Sequence, residues 1–393
     1  MNLKRYLFIS NSNKPTEEKK VSRELVKLGN VRRPCIEAAY KLGYEIWLGV
    51  NEKDPEELEV ESDIPIHLYD SHTYRNLLAF KDNFIAYKNL MNVLKKGRFE
   101  VIHCNTPIGG IMGRFCGKRA KVPHIIYTAH GFHFYKGAPL FNRTVLKWAE
   151  QIMAHWTDAI ITMNQEDFEA AKKFRLRNNG KVYYVPGVGI DTATYFSLTV
   201  DKCQIRKKMG FSNQDFICIS MGDLIKRKNY KVAIEAIAKC NNKFIHYLIC
   251  GKGPEEETLK KEAERLKVSD QIHFLGYRTD VKELLKISDV FLFTSLQEGL
   301  PRSLMEAMAS GLPCIASNIR GNTDLIENGK GGYLISPKDM NAIAEGILEL
   351  QSNPELRQEM INWNLKKIKS FDQKIVERRI LEIYKDILIK NNA

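Results

Sequence analysis

The residues whose types and spacing could carry chemistry gather in Ser295-Leu296-Gln297-Glu298-Gly299-Leu300-Pro301-Arg302-Ser303-Leu304-Met305-Glu306. This segment follows an apolar run, 289–294, and opens a helical pattern that Gly311 closes. Gly299 lets the backbone approach a ligand, and Pro301 suits the start of a helix. The amides of Gly299, Leu300 and the first turn would then face an anion, aided by the helix dipole. Glu298 in the turn and Glu306 further along are acceptor-only groups for ligand hydroxyls. Carboxylates beside anion-binding amides suit a ligand with both hydroxyls and phosphates, such as a nucleotide sugar. Taken alone, two solvated glutamates at a polar turn would look the same.

Three neighbouring turns strengthen the first reading. Met221 to Asn229 follows another apolar run and supplies Lys226, Arg227 and Lys228, enough charge for a diphosphate, although Lys226 reads as solvated. Cys250-Gly251-Lys252-Gly253-Pro254 and Gly276-Tyr277-Arg278 follow two further runs. All four turns fall after strands of one domain, the end at which open parallel sheets bind ligands.

The elements that must position these turns alternate regularly. Short β-rich runs occupy 6–10, 45–50, 100–104, 124–128, 158–162 and 182–185, then 216–221, 244–250, 271–275, 289–294, 313–317 and 332–335. Helical spacing fills 32–43, 80–96, 229–240, 255–268 and 338–351. Such alternation predicts parallel sheets covered on both faces. The series breaks at Pro186-Gly187-Val188-Gly189 and restarts at Phe216, predicting two α/β domains, 1–190 and 191–371. The tail, 372–393, carries Val376, Ile380, Tyr384 and Ile387 on one helical face, with Ser370 and Gln373 spaced as a capping box.

Composition excludes several alternatives. The 393 residues are 44% hydrophobic and 27% charged, which is ordinary globular usage. No apolar run approaches the ~18 residues of a membrane span, and the short run Tyr6–Ile9 is no secretory signal, so a cytoplasmic location is expected. Eight scattered cysteines without a CxxC pair read as reduced core thiols, and no HExxH occurs. The net charge of +13 is uneven: residues 1–190 hold 29 Lys and Arg against 20 Asp and Glu, the remainder 31 against 27. A basic first half points to an anionic partner, whether nucleic acid, acidic lipid or a phosphorylated substrate.

Glu298 to Glu306 resembles the E-x7-E motif of family 4 retaining glycosyltransferases, and the likeness continues through Gly311-Leu312-Pro313 and Gly321-Asn322-Thr323-Asp324-Leu325-Ile326-Glu327. In the first half, His103-Cys104-Asn105-Thr106-Pro107-Ile108-Gly109-Gly110, Tyr127-Thr128-Ala129-His130-Gly131-Phe132-His133-Phe134 and Pro186-Gly187-Val188-Gly189-Ile190-Asp191 resemble the branch serving bacterial capsule and exopolysaccharide. The resemblance implies the GT-B fold, an α/β architecture of two Rossmann-like doubly wound parallel-sheet domains facing each other across a cleft. The first would bind the acceptor and receive the C-terminal helix; the second would bind the nucleotide sugar.

Several functional expectations follow from that resemblance. The reaction is sugar transfer with retention, from a UDP-linked donor to a saccharide acceptor, expected to be an undecaprenyl-diphosphate-linked oligosaccharide. His130 and Glu298 are the expected catalytic residues. Arg227, Lys228, Gly251, Arg278, Gly299, Leu300 and Glu306 would bind the donor, with Glu306 on the ribose and Lys228 on the diphosphate. Asn105, Thr106 and His133 would bind the acceptor. No cofactor and no metal are implied: no Asp-x-Asp occurs, so fixed cations and helix amides would stabilise the leaving diphosphate. No nucleophile with a partner base stands out, which suits a front-face mechanism. Two departures bear on this. Ser10 to Pro15 replaces a Gly-rich turn, and Asp223 stands where many relatives carry Arg.

Other readings of single features remain open. His130 would also fit a loop histidine satisfied by backbone, and Phe132, Phe134 and Tyr135 fit either a ligand platform or core packing. Segment 139–156 places Phe141, Val145, Trp148, Ile152 and Trp156 on one face, for the core or for peripheral contact with the inner leaflet of a membrane. A nucleotide-sugar 2-epimerase would share the architecture. A nucleic-acid partner would explain the charge, but no such module occurs. A dinucleotide oxidoreductase lacks its GxGxxG spacing.

Overall fold

The computed structural model describes residues 4–12, 26–29, 31–51 and 60–388. The chain divides into two compact units, residues 1–188 with 374–393, and residues 189–373.

In the first unit the strands are β1 (Arg5–Ile9), β2 (Val26–Lys27), β3 (Glu45–Val50), β4 (Val60–Glu61), β5 (Ile66–Asp70), β6 (Val101–Asn105), β7 (His124–Ala129), β8 (Ala159–Thr162) and β9 (Lys181–Tyr184). Seven of them form a parallel sheet in the order β5-β3-β1-β6-β7-β8-β9, while β2 and β4 pair separately. The order reverses direction between β1 and β6. That is a topological switch point, where the turns leaving adjacent strands diverge and open a crevice. The turns beginning at Ser10 and at Thr106 flank it. Cores lie on both faces, one around Tyr6, Phe8, Ile126 and Ile161, the other around Leu7, Ile9, Ile125 and Ile160.

The second unit holds β10 (Phe216–Met221), β11 (Ile245–Cys250), β12 (Ile272–Gly276), β13 (Val290–Phe293), β14 (Cys314–Ser317) and β15 (Gly332–Ile335). They form one parallel sheet, β12-β11-β10-β13-β14-β15. Its switch point falls between β10 and β13, so the turns after those two strands flank the crevice. Both faces are again covered, by clusters centred on Ile217, Ile219 and Phe291 and on Cys218, Ile249 and Leu292.

The alternating pattern thus delivers the expected α/β fold, with one added edge strand. β5 escapes the pattern because Pro65 precedes it and His67 and Asp70 interrupt its apolar run. The C-terminal helix, Gln373–Leu388, buries Val376, Ile380, Ile383, Tyr384 and Ile387 in the first unit's core. Its expected capping box does not form: Ser370 sits inside the preceding 3-10 turn and donates to the Lys367 carbonyl. Residues 389–393 of the tail, and Asn13, Lys14 and Pro15 of the first turn, lie outside the described residues. Seven cysteines are buried as free thiols, but Cys203 is exposed.

Candidate functional site

In the second unit the backbone ties the turns at the switch point into one floor. Gly222 N–H donates to the Cys250 carbonyl at 2.9 Å, Gly251 N–H to the Gly276 carbonyl at 2.8 Å, and Leu224 N–H to the Lys252 carbonyl at 3.0 Å. Gly251 has φ +153°, and a Cβ there would lie 1.9 Å from the Gly222 carbonyl oxygen. Any side chain would push this floor apart.

Lys226–Lys228 form a single 3-10 turn, ended by Asn229 in the left-handed region at φ 53°. The Asn229 amide donates to the Thr294 and Pro337 carbonyls, at 3.2 and 2.8 Å, and Leu296 N–H donates to the Arg227 carbonyl at 2.8 Å. The turns after β10 and β13 are thereby fixed to each other. Glu298 Oε1 accepts from the Lys228 ammonium at 2.8 Å and from the Arg227 guanidinium at 2.9 Å. Lys228 also lies 4.8 Å from the centre of the Phe293 ring. The Lys228 and Glu298 side chains keep only 13% and 11% exposure, while Arg227 keeps 40%. The cluster carries two positive charges against one negative, so a net positive charge is held at the crevice.

The helix Arg302–Ala309 leaves this cluster with no side chain capping its N-terminus and no acidic residue in its first turn. Pro301 stands at the N-cap and not inside the helix. The C-terminus closes as expected, with Gly311 N–H on the Met308 carbonyl and Leu312 N–H on the Ala307 carbonyl, both at 3.0 Å. Glu306 accepts from Arg302 at 3.0 Å. Burial, and then the nearby Glu306 carboxylate, pushes the Tyr195 hydroxyl well up from its ordinary range. Leu300 packs partly against the core. Arg278 is exposed and paired with Asp280 at 2.8 Å, and Asp223 and Lys226 are exposed.

The structure therefore brings Arg227, Lys228 and Glu298 into direct contact, sets Gly251 beneath them in the turn network, and leaves Arg278 engaged elsewhere. One contributor, Arg320, escaped sequence reading. Arg320 is buried and donates to the Glu298 carbonyl at 3.1 Å. Gly321, at φ +82°, places its missing Cβ 2.1 Å from the Gly299 carbonyl oxygen. For Arg320, its place just before the Gly321–Glu327 motif was the available signal.

In the first unit a cleft of about 600 Å³ is lined by Asn11, Arg75, Leu77, Thr106, His130, His133 and Glu150, among others. Thr106, at φ 66° and ψ 163°, holds a backbone conformation costly for a β-branched residue, on the order of 1–3 kcal/mol. Its hydroxyl oxygen accepts the Asn11 N–H at 2.9 Å. His130 Nε2 lies 2.5 Å from Asn105 Oδ1, and burial lowers the His130 pKa to about 4. Asn105 is fully buried and is not among the lining residues of this cleft, and His133 is exposed at its rim. Beneath the wall, the buried Arg114 donates to Glu150 at 2.7 Å and lies 3.8 Å from the Tyr127 ring centre.

Two open alternatives resolve here. Phe132 and Phe134 are buried, stacked at 4.7 Å and packed with Phe174, so they belong to the core, and Phe132 also lines the cleft. Segment 139–156 leaves much of its apolar face uncovered: Leu140 and Trp148 are 74% and 64% exposed, and Phe141 and Val145 are exposed too. Trp156 packs on Phe115 beneath Lys118. No helix among the described residues is long and apolar enough to cross a membrane. Among them, no three His, Cys, Asp or Glu side chains gather in a form that could hold a metal ion.

Comparison with known proteins places this geometry in context. Residues 35–193 match the family model described as Glycosyltransferase Family 4, and residues 201–367 match Glycosyl transferases group 1. EpsD of Bacillus subtilis, named as a glycosyltransferase, is 33% identical over 77% of this chain and 80% of its own. The Escherichia coli UDP-Gal:alpha-D-GlcNAc-diphosphoundecaprenol alpha-1,3-galactosyltransferase is 30% identical over 80% of this chain and 82% of its own. Among solved structures, Anabaena Alr3699/HepE in complex with UDP and glucose aligns with TM-score 0.74 at 18% identity, covering 98% of this chain and 100% of its own. At that identity the likeness concerns the fold.

Proposed function

This chain belongs to the family 4 glycosyltransferases, and from that membership we propose that it transfers a hexose or N-acetylhexosamine, with retention, from a UDP-sugar to a lipid-linked saccharide. The observation that carries the donor half is the Lys228–Glu298–Arg227 cluster at the switch point of the second unit, beside the uncapped helix Arg302–Ala309. A diphosphate there meets fixed cations and free amides, which stabilise the charge that develops as it leaves. Glu298 is held ready for the donor sugar, and Glu306 for the ribose.

In the front-face reaction the bond from the anomeric carbon to the phosphate oxygen breaks. The acceptor oxygen bonds to the same face, and its proton passes to the departing phosphate oxygen. Fixed protein charge replaces a chelated cation in this scheme. His130, with Thr106 and His133 around the first unit's cleft, serves the transferred sugar and the acceptor. The E. coli relative's name specifies a diphosphoundecaprenol acceptor, which supports the same acceptor class here.

Peripheral contact with the inner leaflet completes the reading. It is supported by the outward Leu140, Phe141, Val145 and Trp148 together with Leu77, Leu78, Phe80 and Phe84, all exposed on the first unit. Residues 71–149, which contain them, hold 13 Lys and Arg against two acidic residues. Cations surrounding apolar side chains fit an anionic lipid surface.

The test incubates the EDTA-treated protein with a panel of nucleotide sugars and an undecaprenyl-diphosphate-linked acceptor, with product configuration read by NMR. An α-linked product from one UDP-sugar without added metal is expected. Activity lost to EDTA and restored by Mg²⁺ or Mn²⁺ would refute the metal-free leaving-group site. Sugar release or epimerisation without an acceptor would refute transfer.

A further inference from the structure

The His130–Asn105 contact has no counterpart in the donor cluster. Asn105 closes β6, is 0% exposed, and spends its Oδ1 on His130 Nε2 at 2.5 Å. With its Oδ1 toward the ring the amide can only accept, which calls for the imidazole proton on Nε2. His130 lines the cleft and makes no other side-chain hydrogen bond among the described residues. Its Nδ1 therefore has no partner among the described residues, on a ring that lines the cleft. An unpartnered acceptor there calls for a ligand group that donates, which a sugar hydroxyl does and a phosphate or carboxylate oxygen does not.

We propose that Asn105 is a positioning residue that locks His130 as the Nε2–H tautomer, so that the cleft reads a sugar hydroxyl through Nδ1. This rests on the assignment of His130 to the transfer site. Burial holds the imidazole neutral. His103 lies beneath it on β6, and Arg75, His133 and Glu150 line the cleft around it. A protonated His130 would lose the Nδ1 acceptor and with it the hydroxyl contact, so transfer should fall only in acid.

The experiment compares full-length wild type, Asn105→Asp, Asn105→Ala and His130→Gln. Histidine ¹⁵N spectra give the tautomer, with the His130 signal assigned by its absence in His130→Gln, and kcat and donor KM are measured from pH 4.5 to 8. Wild type should show Nε2–H and no imidazolium at pH 6. Asn105→Asp places a carboxylate against the ring and should move the acidic limb of kcat upward by about 1–3 pH units. Asn105→Ala should mix the tautomers and lower kcat at least tenfold, with donor KM unchanged because the diphosphate cluster is untouched. A wild-type Nδ1–H tautomer, or an acidic limb unmoved in Asn105→Asp, would overturn the proposal. So would a rise in donor KM equal to the fall in kcat. Full transfer by His130→Gln would instead remove His130 from the reaction, and the assignment beneath this inference would fail first.

Discussion

Glu298 has its charge answered by two cations before any ligand arrives. Such a carboxylate keeps one position and holds both cations in place, Lys228 enclosed and Arg227 still partly exposed. Removing Lys228 takes away the more enclosed of the two. Lys228→Ala is therefore expected to weaken UDP binding by about 1.5–3 kcal/mol, the range for a charge-assisted contact. Calorimetric titration checks this, and unchanged affinity would show that the diphosphate lies elsewhere. His103 makes a different kind of prediction. Its Nδ1 faces the Tyr384 hydroxyl at 2.5 Å and its Nε2 faces Thr128 at 2.7 Å. Burial, and then His130, lower its pKa to about 3, against ~6.5 in the unfolded chain. Between those values the unfolded state binds the extra proton, so stability is intact above pH 6.5 and declines as the pH falls toward 3. His103 alone should cost about 2 kcal/mol between pH 7 and pH 5. Urea denaturation at the two pH values measures it, and His103→Gln should reduce the difference by that amount, leaving the part contributed by His130.

At the scale of elements, the strands set where the turns emerge. The turns after β10 and β13 meet because those strands are neighbours, although about 70 residues separate Arg227 and Lys228 from Glu298. Segment 139–154 shows the converse, an element whose apolar face the fold leaves uncovered. Its π-helical turn Asn142–Leu146 leads into Lys147–Ala154, and only Met153 and Ala154 of the latter are buried. Phe141→Ser with Trp148→Ser should leave UDP binding and thermal stability unchanged, because neither residue packs into a core. The pair should at least halve the fraction that co-sediments with vesicles containing anionic lipid. Equal sedimentation of wild type and variant would show that this face does not meet lipid.

For the whole molecule, the last helix belongs to the unit that the chain left at Val188. Tyr384 joins Tyr6 at 2.7 Å, and Asp386 joins Lys181 at 3.0 Å and Tyr183 at 2.7 Å. Deleting 374–393 would open the core around Ile46, Ile126 and Ile161 while leaving the second unit's sheet and cluster whole. Such a protein should lose solubility and transfer, yet its second unit should still bind UDP. Lost UDP binding with the first unit intact would show that the helix serves the other half.

The sequence by itself determined the periodicities, and with them the sheets, since a buried parallel strand is readable wherever its apolar run is unbroken. It also determined the chemical inventory of the turns after β10 and β13, because Gly, Lys, Arg and Glu at such turns have few structural substitutes. What it could not decide were relations between residues distant along the chain. That Glu298 lies between Arg227 and Lys228, that Arg320 supports its backbone, and that Asn105 lies buried against His130 all depend on strand order, which no local pattern encodes. The same holds for the direction of an amphipathic face. The spacing of Phe141, Val145 and Trp148 shows that they share a side, but only the packing of neighbouring helices decides whether that side is covered.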